Sequence, residues 1–190
     1  VNTDPYGAYL AGGVVAQAGT NESLRRLTTG PNGSYLAVGT SSNATSSQVL
    51  AVHHDASAKL INNWAFGANV AGTDAVFLGA GWFVLGHGTG ANADCTVSSL
   101  SSAGVVAKQL TLGGGGTQQC WDIAVTASGN LAVVGSSGEY GGAAAKLWHL
   151  SPSLVELGAF YVKPGGAAAV WTSVLPQTDG TWLVGGSASA

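Results

Sequence analysis

Short apolar runs that end in glycine recur along the chain at nearly even spacing. Tyr35-Leu36-Ala37-Val38-Gly39, Trp82-Phe83-Val84-Leu85-Gly86, Leu131-Ala132-Val133-Val134-Gly135 and Trp182-Leu183-Val184-Gly185-Gly186 place their last glycines 47, 49 and 51 residues apart. Each run follows a turn signal, in order Pro31-Asn32-Gly33, Gly79-Ala80-Gly81, Ser128-Gly129-Asn130 and Thr178-Asp179-Gly180. Glycine reaches positive φ without steric cost, and Pro, Asn and Asp favour turns, so each turn and run reads as the second half of a β-hairpin. Another strand-like stretch precedes each turn. The apolar residues lack the 3.6-residue period of a helix. The pattern predicts one hairpin repeated four times.

After each of the first three runs comes a loop of small polar residues and a second strand pair, 48–53 with 58–64, 96–100 with 105–110, and 144–150 with 154–162. Each unit then holds four strands, and a sheet so small buries its faces only when neighbours stack on it. The fourth unit has two strands before the sequence ends at Ala190. A matching half lies at the other end. Residues 6–10 read as a third strand, and Gly12-Gly13-Val14-Val15-Ala16-Gln17 is similar to Ala103-Gly104-Val105-Val106-Ala107-Lys108 of the second unit. From Gly86 to Gly104 is 18 residues, and from Gly186 to Gly13 through the joined ends is 17, so the phase of the repeat carries across.

Units of this length and strand count resemble the blades of the β-propeller superfamily. The resemblance covers essentially the whole chain and implies an all-β fold, a four-bladed propeller of four-stranded antiparallel blades in a single domain. Blade 1 is 21–68, blade 2 is 69–115, blade 3 is 116–165, and blade 4 is 166–190 completed by the N-terminal strands within 1–20. It further implies that this shared blade acts as a clasp and that the first strand of each blade lines the axis. Ligands would approach the face where the loops enter those strands. The Trp-Asp pattern of WD repeats is missing and a lone Gly185-Gly186 is no kelch signature, so no subfamily is assigned. A fragment cut from a longer array would show the same blades.

Composition narrows the setting. With 46% hydrophobic and 8% charged residues over 190 positions the chain can bury a core and is not disordered. Thirty glycines and five prolines suit short strands and tight turns, with helices nearly absent. The net charge is −3 and the only adjacent basic pair is Arg25-Arg26, which leaves no footprint for nucleic acid or an anionic membrane surface. No apolar run approaches the roughly 18 residues of a membrane span, so no membrane insertion is expected. The chain opens at Val1 and has no methionine, as expected of processed or excised material. Cys95 and Cys120 form an even pair open to a disulfide, and sequons begin at Asn21, Asn32 and Asn43. Both point to an extracellular or cell-surface location.

Aligning the blades by sequence puts Trp121 and Trp171 at one position near the start of their first strands, followed by Asp122 and Thr172. Leu24-Arg25 and Gly72-Thr73 are the counterparts in the other blades. Such a set could form a sugar platform, with indole faces stacked on a pyranose and Asp, Arg or Thr bonding its hydroxyls. The plainer reading is that both tryptophans fill space between blades, as Tyr35, Trp82 and Trp182 are expected to do. His53-His54-Asp55 is the one local cluster with metal or catalytic chemistry. Its neighbours alternate faces along a strand, and His149 repeats the slot of His53, so a structural role is expected. Asp74 and Asp122 are the only carboxylates placed to act as an acid-base couple, Asp74 aligning one position past Asp122. Solvated loop carboxylates are the simpler account.

No GxSxG, Walker loop or HExxH occurs, and the four glycines at 113–116 form a linker with no helix behind them. No enzyme activity, cofactor or metal is expected. The readings rank as a glycosylated structural or assembly module of a cell surface, matrix or filament, with itself or neighbouring structural proteins as partners; then a carbohydrate-binding module using the axial face; then a hydrolase or lyase.

Overall fold

The computed structural model describes residues 2–3, 9–11, 19–90, 93–139 and 141–189, the first two stretches by backbone alone. The chain is all-β, and among the described residues its only helical segments are two three-residue 3-10 turns, Pro31–Gly33 and Pro164–Gly166. Strands β1 (Asn2–Thr3) and β2 (Tyr9–Ala11) pair with each other. Three antiparallel meanders follow. Sheet I contains β3 (Asn21–Thr29), β4 (Tyr35–Ser42), β5 (Ser47–His54) and β6 (Leu60–Phe66). Sheet II contains β7 (Val70–Leu78), β8 (Gly81–Gly88), β9 (Cys95–Leu100) and β10 (Val106–Leu112). Sheet III contains β11 (Gln118–Val125), β12 (Leu131–Ser137), β13 (Ala144–Leu150) and β14 (Glu156–Val162). Sheet IV is the hairpin of β15 (Ala169–Pro176) and β16 (Trp182–Ala188). Of the second half expected for this sheet, in residues 1–20, the described strands β1 and β2 form a separate two-stranded sheet that does not extend sheet IV, and residues 4–8 and 12–18 lie outside the described residues.

Each sheet packs on the next. One core cluster joins Leu36, Val38, Val49 and Ala51 of sheet I to Val70, Ala75, Trp82, Val84 and Leu100 of sheet II. The largest joins Phe83, Leu85 and Val97 of sheet II to Ile123, Leu131, Val133, Trp148 and Leu150 of sheet III. A third joins Ala132, Val134 and Leu147 to Val174, with Trp171, Trp182 and Val184 against it. This explains why the runs in β8 and β12 are continuously apolar where a half-exposed strand would alternate. Trp82 and Val84 face sheet I while Phe83 and Leu85 face sheet III, so both faces are buried. Cys95 of β9 and Cys120 of β11 are bonded inside the largest cluster, their Cα atoms 5.8 Å apart. Closing a loop with that separation of 25 residues stabilises the fold by about 3 kcal/mol in the chain-entropy model.

The recurring terminal glycine has a specific cause. Every first strand carries one extra residue, a β-bulge, at Arg25, Thr73, Trp121 and Thr172. Just before the bulge the strand pairs with Gly39, Gly86, Gly135 and Gly186 respectively. The bulge bends the strand towards that partner. A Cβ on Gly39, Gly135 or Gly186 would fall on the carbonyl oxygen of Ser23, Gln119 or Val170, and one on Gly86 would come within 2.6 Å of the Val70 Cγ1.

The fourth strands begin one or two residues later than the sequence predicts, at Leu60, Val106 and Glu156. The turns before them end on positive φ at Ala58 (65°), Gly104 (77°) and Leu154 (54°), which no strand accommodates. Ala58 and Leu154 are buried nonetheless, and so resemble strand residues in sequence.

Candidate functional site

The four bulges converge. Arg25 of β3, Thr73 of β7, Trp121 of β11 and Thr172 of β15, with Arg26, line one pocket of about 310 Å³. The first strands of neighbouring sheets lie beside one another in the order β3, β7, β11, β15, which brings residues almost 150 positions apart in sequence to one mouth. The sequence alignment placed Trp121 with Trp171. The register corrects this by one residue, because the bulge at Trp121 makes Cys120 the partner of Gly135, whereas Trp171 itself pairs with Gly186. Trp171 therefore packs between sheets III and IV against Ala132 and Val134, while Trp121 faces the pocket. The same shift makes Asp74 and Asp122 equivalent positions, facing Leu85 and Val134, where the sequence had them one apart.

Below the mouth the residues after the bulges form a charged network. Arg26 donates from Nε to the Asp74 Oδ1 and from Nη2 to the Asp122 Oδ1, both at 3.2 Å, so one side chain of sheet I reaches sheets II and III together. Asp74 also accepts the backbone N–H of Ile123 at 3.1 Å and that of Ala75 at 2.8 Å, and Asp122 accepts that of Val174 at 2.7 Å. A first strand is a sheet edge, and every second N–H along it points away from its own sheet. The two aspartates satisfy such groups on the sheet that follows. In sheet IV the equivalent position is Ser173.

Both carboxylates are buried under a guanidinium that is 53% exposed. Burial, ahead of a hydrogen bond to Asp122, pushes the Asp74 carboxyl up to about 7, against the pull of the Ile123 and Ala75 amides. Arg26 is raised above its ordinary value, chiefly by Asp74. Arg25 stands over Trp121, its guanidinium carbon 4.9 Å from the ring centre, and no carboxylate pairs with it among the described residues. His87 lies 5.8 Å from the same indole, and burial, then Arg25, lowers its pKa. The Trp121 Nε1 is buried without a protein acceptor.

The other predicted residues lie elsewhere. His53 meets the edge of Trp82 at 5.5 Å, and His149 meets Trp182 in the same way at 5.3 Å, one repeated contact between successive sheets. His54 stacks on Tyr35 at 5.3 Å. Asp55 accepts from the Ser57 and Lys59 amides and the Ser57 hydroxyl, closing its own turn. Among the described residues no group of three His, Cys, Asp or Glu side chains could hold a metal, and no helix is long and apolar enough to cross a membrane. Asn21, Asn32 and Asn43 are exposed. Asn32 sits at a turn tip with φ 56°, and the Asn43 Oδ1 accepts from the Thr45 hydroxyl at 3.1 Å.

Arg26 is the member of this charged network that sequence reasoning passed over. The signal was available in the only adjacent basic pair of the chain, but the repeat phase of Asp74 and Asp122 matches Arg26 only once the bulge is counted. No family model matches the chain. No curated protein matches it either.

Proposed function

We propose that the chain is a non-enzymatic extracellular assembly module with the architecture of a four-bladed β-propeller, sheets I to III being whole blades and residues 1–20 completing sheet IV. The order of sheet packing, the four bulges at one pocket and the reach of Arg26 across three sheets support the propeller reading. Exposed sequons on sheet I support the extracellular one.

The observation that carries assembly is β14. It is the outer edge of sheet III, and Leu157, Phe160, Tyr161 and Val162 are all 44% to 56% exposed on it. The outer edges of the other complete sheets expose fewer apolar side chains, Ile61 on β6 beside Asn62 and Asn63, and Val106 on β10 beside Lys108 and Gln109. An apolar edge strand with one acidic residue is a template for pairing with another chain. All three sequons belong to sheet I, so glycans there lie on a different sheet from this edge. A second copy pairing through β14 predicts that the wild type sediments above monomer mass and that Leu157→Lys with Phe160→Lys sediments as monomer with its far-UV spectrum retained. A wild type that stays monomeric at every concentration would end this reading.

A second reading, carbohydrate binding, is favoured by one observation, the pocket in which an indole, two arginines and two threonines from four strands meet.

A further inference from the structure

We infer that this pocket selects an acidic sugar, a uronate unit, and holds its carboxylate with Arg25; the inference rests on the carbohydrate-binding reading and sharpens it. A neutral pyranose would have to use the open face of an aromatic ring. In this pocket the Arg25 guanidinium already lies over Trp121. What faces the ligand is therefore a cation seated on an aromatic ring, with its flat array of N–H donors suited to a carboxylate.

The two arginines are not equivalent. Arg26 is committed, its Nε and Nη2 bonded to Asp74 and Asp122. Arg25 has no carboxylate partner among the described residues, and the ring that holds it in place leaves its edge donors unused. Its guanidinium is thus the one in the pocket that makes no ion pair among the described residues.

The threonines settle the rest of the ligand. The Thr73 hydroxyl donates to the Leu85 carbonyl at 3.3 Å, and the Thr172 hydroxyl to the Gly185 carbonyl at 3.4 Å, each inside its own hairpin. A hydroxyl has one proton to give. Thr73 is buried, and with the proton of the exposed Thr172 directed inward its oxygen offers a ligand lone pairs, so a ligand supplies the donor. Bare phosphate or sulfate dianions supply none, whereas a uronate carries a carboxylate for Arg25 and hydroxyl donors for the exposed Thr172. At about 310 Å³ the volume is also that of a single-sugar site, at the small end of ligand pockets, which run from about 300 to 1,000 Å³.

Titration calorimetry with sodium galacturonate and glucuronate, with galactose and glucose, and with acetate separates the possibilities. The expected result is that one uronate binds at least tenfold more tightly than its neutral parent sugar and than acetate. Arg25→Gln should reduce it to the level of the neutral sugar with Tm unchanged, and Thr172→Val should weaken it about tenfold while leaving acetate unaffected. Equal binding of uronate and neutral sugar overturns the inference and leaves carbohydrate binding standing. Equal binding of uronate and acetate reduces the site to a carboxylate site and overturns the sugar. Uronate binding that survives Arg25→Gln overturns the role of that residue. Binding by none of the probes removes both the inference and the reading beneath it.

Discussion

Asp74 is where burial and charge oppose one another most directly. A carboxyl with two amide donors and a guanidinium would ordinarily titrate low, yet desolvation dominates and lifts it to about 7. An unfolded aspartate titrates near 4, so between these values the folded chain binds more protons than the unfolded one. By linkage, this group's contribution to stability is greatest below about pH 4, falls as pH rises, and is level above about 7. The neutral, isosteric Asp74→Asn should remove that slope, so that thermal melts from pH 4 to 7 run flatter than those of the wild type. Parallel curves would mean that the carboxyl is ionised in the fold throughout. The sequence singled out Asp74 and Asp122 as a couple, and the structure joins them, but through Arg26. The sequence missed that residue because an inserted bulge residue shifts the alternation of a strand without changing its composition.

Among the elements, the clearest instruction in the sequence was the glycine closing each run, although its reason lay out of view. From sequence it reads as the end of a strand. In the structure it sits within the second strand, opposite a bulge on the first, with room for hydrogen alone. Gly135→Ala should therefore destabilise the fold by about 3 kcal/mol, as overpacking against backbone that has nowhere to move, whereas Gly129→Ala, at a turn with φ 77° and open space around it, carries only local backbone strain. Urea unfolding would rank them, and equal losses would refute a steric origin. The four hairpins were legible because burial on both faces of β8 and β12 leaves continuous apolar runs. Strand ends were less so, since Ala58 and Leu154 are apolar and buried yet belong to turns.

For the whole molecule, what sets sheet IV apart is its size. Three sheets have four strands and the last has two, while Leu175 and Leu183 on its outward face and Leu24 and Leu27 on sheet I are 54% to 63% exposed. Among the described residues, core clusters link sheets I to II, II to III and III to IV, and none links IV to I. If residues 1–20 complete sheet IV, deleting them should lower Tm by roughly 10 °C, the shift that about 3 kcal/mol makes in a chain of this size, and a peptide of those residues should restore it. A truncated protein that melts with the intact one would dismiss the clasp. Sequence carried this far because the repeat phase survives the join of the two ends; it also grouped Arg25, Thr73, Trp121 and Thr172 near the starts of their first strands, but set Trp171 beside Trp121 where Thr172 belongs, because a bulge leaves no trace in local pattern.

The bond between Cys95 and Cys120 also has a mechanical meaning. If the chain is pulled by its ends, tension arriving along the backbone at Cys95 crosses the sulfurs and leaves at Cys120. The intervening stretch, which holds the rest of β9, all of β10 and the four-glycine linker, carries no load. Roughly 85 Å of extended chain is thereby withheld from unspooling, and sheets II and III can be torn from their neighbours but not fully from each other while the protein remains oxidised.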